Sequence, residues 1–534
     1  MKRITFILIA VAICSGLFAQ STVKGYVYQD NNKNGKRDGG EKGIANVAVS
    51  NGTEVVLTDS KGVYELPVAL DNIIFVVKPA GYSFQMDGNN LPRFYYIYKP
   101  KGSPQTFYKG SAPTGQLPKS LDFPLNRTSE TDNFKALIFG DPQPYDPAQV
   151  EFFKQAIVAD ALQNSDNVLF GLSLGDLVGD DLTLHAPYKQ AIKQMGLPWY
   201  NVMGNHDMNY DVRQDSLSDE AFQAHFGPNN YSFNYGKAHF IILDDILYPD
   251  PRDGKGYWGG FRKDQLDFVK NDLKYVDSDK LIVVSLHIPL NDREDGEIAF
   301  RQADRRALYD LLKKYNRVLV LSAHTHIQYQ AFSGKNEGLD RENPIHEYNV
   351  GATCGDWYSG ILNEKGLPVT TMRDGTPQGY AFLTVKGNEY LLDYKVTGKP
   401  ADYRMSIYHP QLVPFKTTSG SYSIYANVFM ATSDDVVECR IDGGKWNKMN
   451  LVSQPDPDYT HYVQDWDYLN ALVPGRRPSN PINCLHLWNA GLPVNLPVGS
   501  HTIEVRTTDM FGRTYTQSST YRIAEDPAAK ISVR

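Results

Sequence analysis

Five times between residues 134 and 326, a short apolar run ends directly on polar side chains able to ligate a metal. Leu137-Ile138-Phe139 runs into Gly140-Asp141-Pro142-Gln143, and Leu172-Ser173-Leu174 into Gly175-Asp176-Leu177-Val178-Gly179-Asp180. Val202-Met203 runs into Gly204-Asn205-His206-Asp207, Val283–Leu286 into His287, and Leu319–Ser322 into Ala323-His324-Thr325-His326. The spacing predicts strands over Ala136–Phe139, Val168–Leu174, Tyr200–Met203, Phe240–Leu243, Leu281–Leu286 and Val318–Leu321. Stretches of helical period lie between them, at Pro147–Leu162, Leu217–Phe226, Lys263–Tyr275 and Ile298–Tyr315. Such alternation builds an α/β domain, in which ligands gather outside the carboxyl ends of the strands. The expectation is one edge where two Asp, one Asn, one Gln and three or four His meet.

Taken singly, each motif has an ordinary explanation. An Asp after a strand caps a helix, a buried His is usually just hydrogen-bonded, and Gly-Asn-His-Asp makes a turn. Five in order, each at a strand end, argue for shared chemistry. Carboxylate oxygen, amide oxygen and imidazole nitrogen together suit Mn, Fe or Zn, and the lack of thiolate speaks against a structural zinc site. Seven candidate ligands exceed one tetrahedral ion; two ions sharing a bridging carboxylate would employ them all. Two metals about 3.5–4 Å apart clamp the attacking and leaving oxygens of an in-line displacement at phosphorus.

The series Asp141-x-Gln143, Gly175-Asp176, Gly204-Asn205-His206-Asp207, His287 and His324-x-His326 resembles the calcineurin-like metallophosphoesterases. The resemblance implies that Asp141, Gln143 and His326 hold a first metal, that Asp176 bridges, and that Asn205, His287 and His324 hold a second. It implies direct attack by a metal-bridging hydroxide on a phosphate mono- or diester, or a pyrophosphate. His206 would stand near the leaving oxygen, with Asp207 orienting its ring; Asp180 would support the ligands or cap. Gln143 stands where a His is usual, which blurs the identity of the metal, and Ala323 replaces the usual Gly. The turn-rich stretches 351–360 and 372–380 could reach this edge, making Trp357, Arg373 and Tyr145 candidates for substrate contact, with packing against the C-terminal region as the bland alternative.

Outside the α/β region the texture is that of strands. Residues 20–128 read as a small β-sandwich, 129–400 as the phosphoesterase domain and 401–534 as a second β-sandwich, so the expected architecture is a central α/β sandwich flanked by two all-β domains. In the first, Asp30-x-Asn32-x-Asn34-Gly35-Lys36-x-Asp38-x-x-Glu41 matches a calcium-loop pattern, with the position of Lys36 offering its carbonyl. The flanks are strands rather than helices, so the choice is structural calcium or an Asx-rich turn. Lys2-Arg3, an apolar run to Ile13 and Ala19 have the order of a secretory leader over residues 1–19. The expectation is a periplasmic or extracellular protein; Ile13 disfavours lipid attachment at Cys14. No later segment is apolar enough to span a bilayer. Cys439 and Cys484 could pair or remain free thiols. A net charge of −7 excludes bulk attachment to a nucleic-acid duplex, so the expected partner is a small phosphorylated substrate or a phosphate-bearing macromolecule; the sequence leaves the oligomeric state open. The competing reading is a catalytically idle adhesion or glycan-binding protein. A non-phosphate metallohydrolase is disfavoured by the absence of an H-x-H-x-D-H run.

Overall fold

The apolar runs of the middle region become strands of two sheets rather than one. The computed structural model describes residues 21–291, 299–416, 420 and 422–525; the expected leader 1–19 and Cys14 lie outside them. One sheet has the strand order Trp199–Val202, Val168–Leu174, Asn133–Phe139, Gly379–Lys386, Glu389–Val396. Its first three strands are parallel and the last two run antiparallel. The other is ordered Tyr231–Tyr235, Ala238–Ile242, Leu281–Ser285, Arg317–Ser322, Ile345–Asn349, Tyr329–Ser333, parallel except at its two edges. The sheets meet through aromatic rings: Phe170 lies 5.7 Å from Phe233 and 5.3 Å from Phe240, both edge-on. Edge-to-face pairs of this kind add specific geometry to burial. Strands so enclosed read as continuous apolar runs, which is why they were visible without alternation.

The expected helices form with shifted ends. Asp146 caps the first by accepting from Gln149 N, Pro147 supplies the first turn, and the helix continues through a π-helical segment, Phe153–Val158, to Asn164. The other three run over Glu220–Phe226, Lys263–Asp272 and Gln302–Leu312; Ile298 lies outside the described residues. His185–Lys193 forms a further helix. Its apolar face is broken by His185 and Tyr188, so its period is faint in the sequence.

Residues 21–127 contain strands and no helix among the described residues, in two four-stranded sheets. Two buried ion pairs join this region to the α/β core. Lys78 Nζ lies 2.6 Å from Glu130 and donates to the carbonyl of Asn234; Lys99 Nζ lies 2.6 Å from Glu220. Breaking either pair would strand a buried charge.

The C-terminal region holds a four-stranded and a five-stranded sheet that share one apolar core, with Ile424 and Trp488 from one and Val437, Ile503 and Val505 from the other. It is not purely β. Pro457–Asp467 is a helix, started by Asp456 accepting from Asp458 N and Tyr459 N. Its Asp and aromatic content hides the helical period. Cys354, Cys439 and Cys484 are free and buried, so the alternative of a Cys439–Cys484 pair is not realised. Cys484 instead lies 3.4 Å from His486 Nδ1, whose Nε2 is 3.3 Å from Asp374. That chain fastens the C-terminal region to the loop after the last parallel strand. No helix among the described residues is long and apolar enough to cross a membrane.

Candidate metal centre

The five strand ends converge, three from the first sheet and two from the second. Ligating atoms of Asp176, His287 and His324 all lie within 4.8 Å of one another. His287 Nε2 is 3.3 Å from Asp176 Oδ2, 3.1 Å from Asn205 Oδ1 and 3.2 Å from His324 Nδ1. His326 Nε2 is 3.7 Å from Asp141 Oδ1, and the Gln143 amide is 3.2 Å from Asp176 Oδ2. All seven predicted ligands are therefore brought together.

The backbone is bent to achieve this. Asp141, Gln143, Asp176, His324 and His326 all have positive φ, between 37° and 69°. Non-glycine residues in that region carry strain, which clusters at functional sites. Glycine is needed beside them: a Cβ on Gly204 would sit 2.1 Å from Asp176 N.

The donor set fits cations. His287 Nδ1 is 2.8 Å from the carbonyl of Leu174 and His326 Nδ1 is 3.0 Å from that of Gly355. Each carbonyl can take an Nδ1 proton, so that an entering cation displacing any Nε2 proton would meet a lone pair aimed inward, the usual way a ligating imidazole is fixed. Gln143 Oε1 is buried with no hydrogen-bond partner, as expected of an oxygen reserved for a cation. The proton affinities show the same crowding. Burial pushes Asp141 up to about 8 against the pull of His287. Burial opposes charge on His287, yet Asp176 and Asp141 carry it up to about 10. Burial depresses His324 and His326 to about 3. Buried carboxylates and imidazoles that compete for protons are groups a divalent cation can satisfy together.

His206 stands at the rim. Its backbone N–H donates to Asp176 Oδ1 at 2.9 Å, its Nδ1 lies 2.7 Å from Asp180 Oδ1, and its Nε2 is 4.0 Å from Asp176 Oδ2. Burial alone would lower its pKa, but Asp176 and Asp180 raise it to about 9. The ring is thus oriented by Asp180 and not by Asp207, which corrects the sequence expectation. Asp207 turns inward, where it accepts from the backbone N–H groups of Leu177, Val178 and Gly204 at 3.1, 3.3 and 2.9 Å and lies 3.1 Å from His185 Nε2. It ties the Asp176 turn to the Asn205 turn.

A cavity of about 420 Å³ beside the cluster is lined by Tyr145, Gln149, Trp357 and Arg476. Tyr145 packs edge-on to His206, with ring centroids 5.9 Å apart, and Trp357 stacks on His326 at 4.4 Å. Arg373 lies over the Trp357 ring, 5.9 Å from its centroid, and donates to the carbonyl of Thr325 between His324 and His326, but does not line the cavity. Arg476, which sequence reasoning missed, arrives from the C-terminal region. Strand Gly475–Arg476 pairs with Gly360–Ile361, and the guanidinium donates to the carbonyl of Trp357. Its one sequence signal is an Arg pair between turn residues in Pro474-Gly475-Arg476-Arg477-Pro478. Asp245, also missed, accepts from the backbone N–H groups of His287 and Ile288 and fixes that turn.

The loop 30–41 closes on itself. Asp30 is buried and accepts from Gly35 N and Gln85 Nε2; Asn32 and Asn34 both donate to Asp38 Oδ2; Glu41 accepts from Asn31 N and Asp38 N. The side chain of Lys36 is exposed and only its backbone N–H bonds within the loop, to Asn34 Oδ1.

Family models match most of the chain in order: the N terminal of calcineurin-like phosphoesterase over residues 31–109, calcineurin-like phosphoesterase over 134–328, and its C terminal over 347–515. The chain is 26% identical over 164 residues to a probable glycerophosphodiester phosphodiesterase of Arcobacter nitrofigilis, covering 30% of this chain and 57% of that protein. The chain thus spans a little over half the length of that curated relative. Among solved structures, a dimetal phosphatase from Danio rerio shares 12% identity over 48% of this chain and 98% of its own, with a TM-score of 0.34. A purple acid phosphatase from yellow lupin seeds shares 15% over 67% of this chain and 69% of its own, with a TM-score of 0.36. With three consecutive regions matched, the chain belongs to the calcineurin-like phosphoesterase family.

Proposed function

We propose that this protein is an exported hydrolase of a phosphate mono- or diester, or a pyrophosphate, working with two divalent ions drawn from Mn, Fe and Zn. The observation that carries the reading is the convergence of seven oxygen and nitrogen donors from five strand ends, with Gln143 Oε1 buried and otherwise unbonded. In the proposal Asp141, Gln143 and His326 hold one ion, Asn205, His287 and His324 the other, and Asp176 lies between. When bound, the ions would supply Lewis acidity at phosphorus and lower the pKa of water for direct attack. His206 would offer an Nε2 proton to the leaving oxygen while Asp180 holds Nδ1. Trp357 and Tyr145 would position the organic part of the substrate, and Arg476 a charged part.

Export rests on the leader pattern of residues 1–19. The two flanking regions are read as small β-sandwiches, and a calcium ion in the 30–41 loop is part of the same proposal. The test is a panel of p-nitrophenyl phosphate, bis(p-nitrophenyl) phosphate and a dinucleoside pyrophosphate, assayed with each metal. Asp176→Ala and His206→Ala should each lower turnover of the best substrate by at least about a hundredfold. Wild-type rates in either variant would sink the assignment.

A further inference from the structure

A large cavity lies away from the metal centre. It encloses about 820 Å³ between the C-terminal helix Pro457–Asp467, the segment 403–411 and the loop around Ile361 and Val369. Six aromatic side chains line it: Tyr403, Tyr408, Tyr422, Tyr459, Tyr462 and Trp466. The helix presents one face to it. Asp458, Tyr459, His461, Tyr462, Asp465 and Trp466 follow the three- and four-residue spacing that puts side chains on one side. This is the one helix of the C-terminal region among the described residues; Tyr459 on that face is buried and donates to the carbonyl of Ser479, while the other side chains named lie outside the β core.

The chemistry of the wall selects its occupant. Among the described residues no lysine or arginine lines the cavity, whereas Asp458 and Asp465 do. Phosphate, sulfate and carboxylate ligands are therefore unfavourable. Hydroxyl and amide groups are spread among the rings, from Thr371, Ser406 and Gln411 as well as the tyrosines. Some polar groups are already positioned: Tyr408 Oη lies 2.5 Å from His461 Nδ1, and Tyr462 Oη accepts from Ile361 N at 2.9 Å. Flat apolar faces bordered by acceptors match a pyranose ring, which has an apolar C–H face and a rim of hydroxyl donors. The volume is far greater than a single ammonium head group needs and is of the size that takes several sugar rings.

We propose that this cleft binds a neutral oligosaccharide, independently of the phosphoesterase site. Strand Gly360–Ile361 separates the two: Ile361 lines the cleft, and its partner strand carries Arg476 into the cavity beside the metal centre. A sugar chain held here would bring this domain to glycan-bearing material while the metal centre stays open.

The test is isothermal titration of the full chain with cellopentaose, xylopentaose, maltopentaose and mannopentaose, and with tetramethylammonium chloride. At least one pentasaccharide should bind saturably at micromolar to low-millimolar concentration. Trp466→Ala should weaken it at least tenfold. Asp465→Asn, which preserves shape, should weaken it several-fold while leaving aryl phosphate hydrolysis at the parent rate. No binding of any of the four sugars would overturn the proposal. So would sugar binding indifferent to both substitutions, or a cleft that takes tetramethylammonium and no sugar.

Discussion

The exchange of roles between Asp180 and Asp207 makes a sharp test, because the two carboxylates should fail in opposite ways. Asp207 is fully buried, and its two oxygens serve three backbone amides and His185. Asp207→Asn turns one oxygen into an NH₂ group that faces donors. Either oxygen serves about two of those partners, and each buried donor left unpaired costs about 1–3 kcal/mol. The expected loss is therefore about 2–6 kcal/mol, a large share of the roughly 5–15 kcal/mol that holds a domain folded. Asp180 is different. Its side chain is 52% exposed and faces His206 Nδ1 and the Tyr210 hydroxyl. Asp180 has φ +65°, which Ala tolerates less well, so Asp180→Ala should cost about 1–2 kcal/mol, yet leave the ring free to turn and cut kcat by about 10- to 100-fold. Urea unfolding and hydrolysis of bis(p-nitrophenyl) phosphate at saturating metal separate the two. A stable Asp207→Asn protein with low kcat, beside an Asp180→Ala protein with normal kcat, would overturn this assignment and restore Asp207 as the orienting group.

Three other outcomes follow from the same geometry. Gly204→Ala would place a methyl group 2.3 Å from Asp176 Oδ1; the displaced carboxylate should cost about a hundredfold in activity, seen together with reduced metal content. Burial pushes Asp219 from 3.8 up to about 7, with Arg262 and Lys99 pulling back and Asp244 and Glu220 adding. A carboxyl with a raised folded-state pKa binds its proton more tightly when folded, so its contribution to stability falls as pH rises from about 4 to about 7 and is flat above. Asp219→Asn should remove that slope, narrowing the stability difference between pH 5 and pH 8 by about 2–3 kcal/mol relative to the parent in urea unfolding; an unchanged difference would count against the raised value. If the 30–41 loop holds structural calcium, millimolar Ca²⁺ should raise Tm and Asp30→Asn should abolish the rise, whereas no shift would leave the loop a hydrogen-bonded Asx turn.

The metal constellation was legible because each part of it is local. A buried strand ending on Gly-Asp or Gly-Asn-His-Asp is written in consecutive residues, and strand ends in α/β folds face one way. What was not legible depends on distant contacts. The division of five strands between two sheets rests on ring packing among Phe170, Phe233 and Phe240. The choice between Asp180 and Asp207 is set by how two turns lie against each other. Arg476 reaches the site from over a hundred residues downstream, through a two-residue strand pair. The helix Pro457–Asp467 carries its start signal in Asp456-Pro457, but its residues look like turn and strand material until the aromatic face has a cavity to line.

Seven side chains holding two ions is the proposal on which the hydrolase reading stands. Its most direct measurement is metal content by plasma mass spectrometry, after loading with Mn, Fe or Zn and removal of loose ions, for the parent and for Asp176→Ala. The parent should retain close to two equivalents per chain, with hydrolysis tracking occupancy, and the variant fewer than one. A parent that retains no tightly held metal, or a variant that keeps both equivalents, would contradict it.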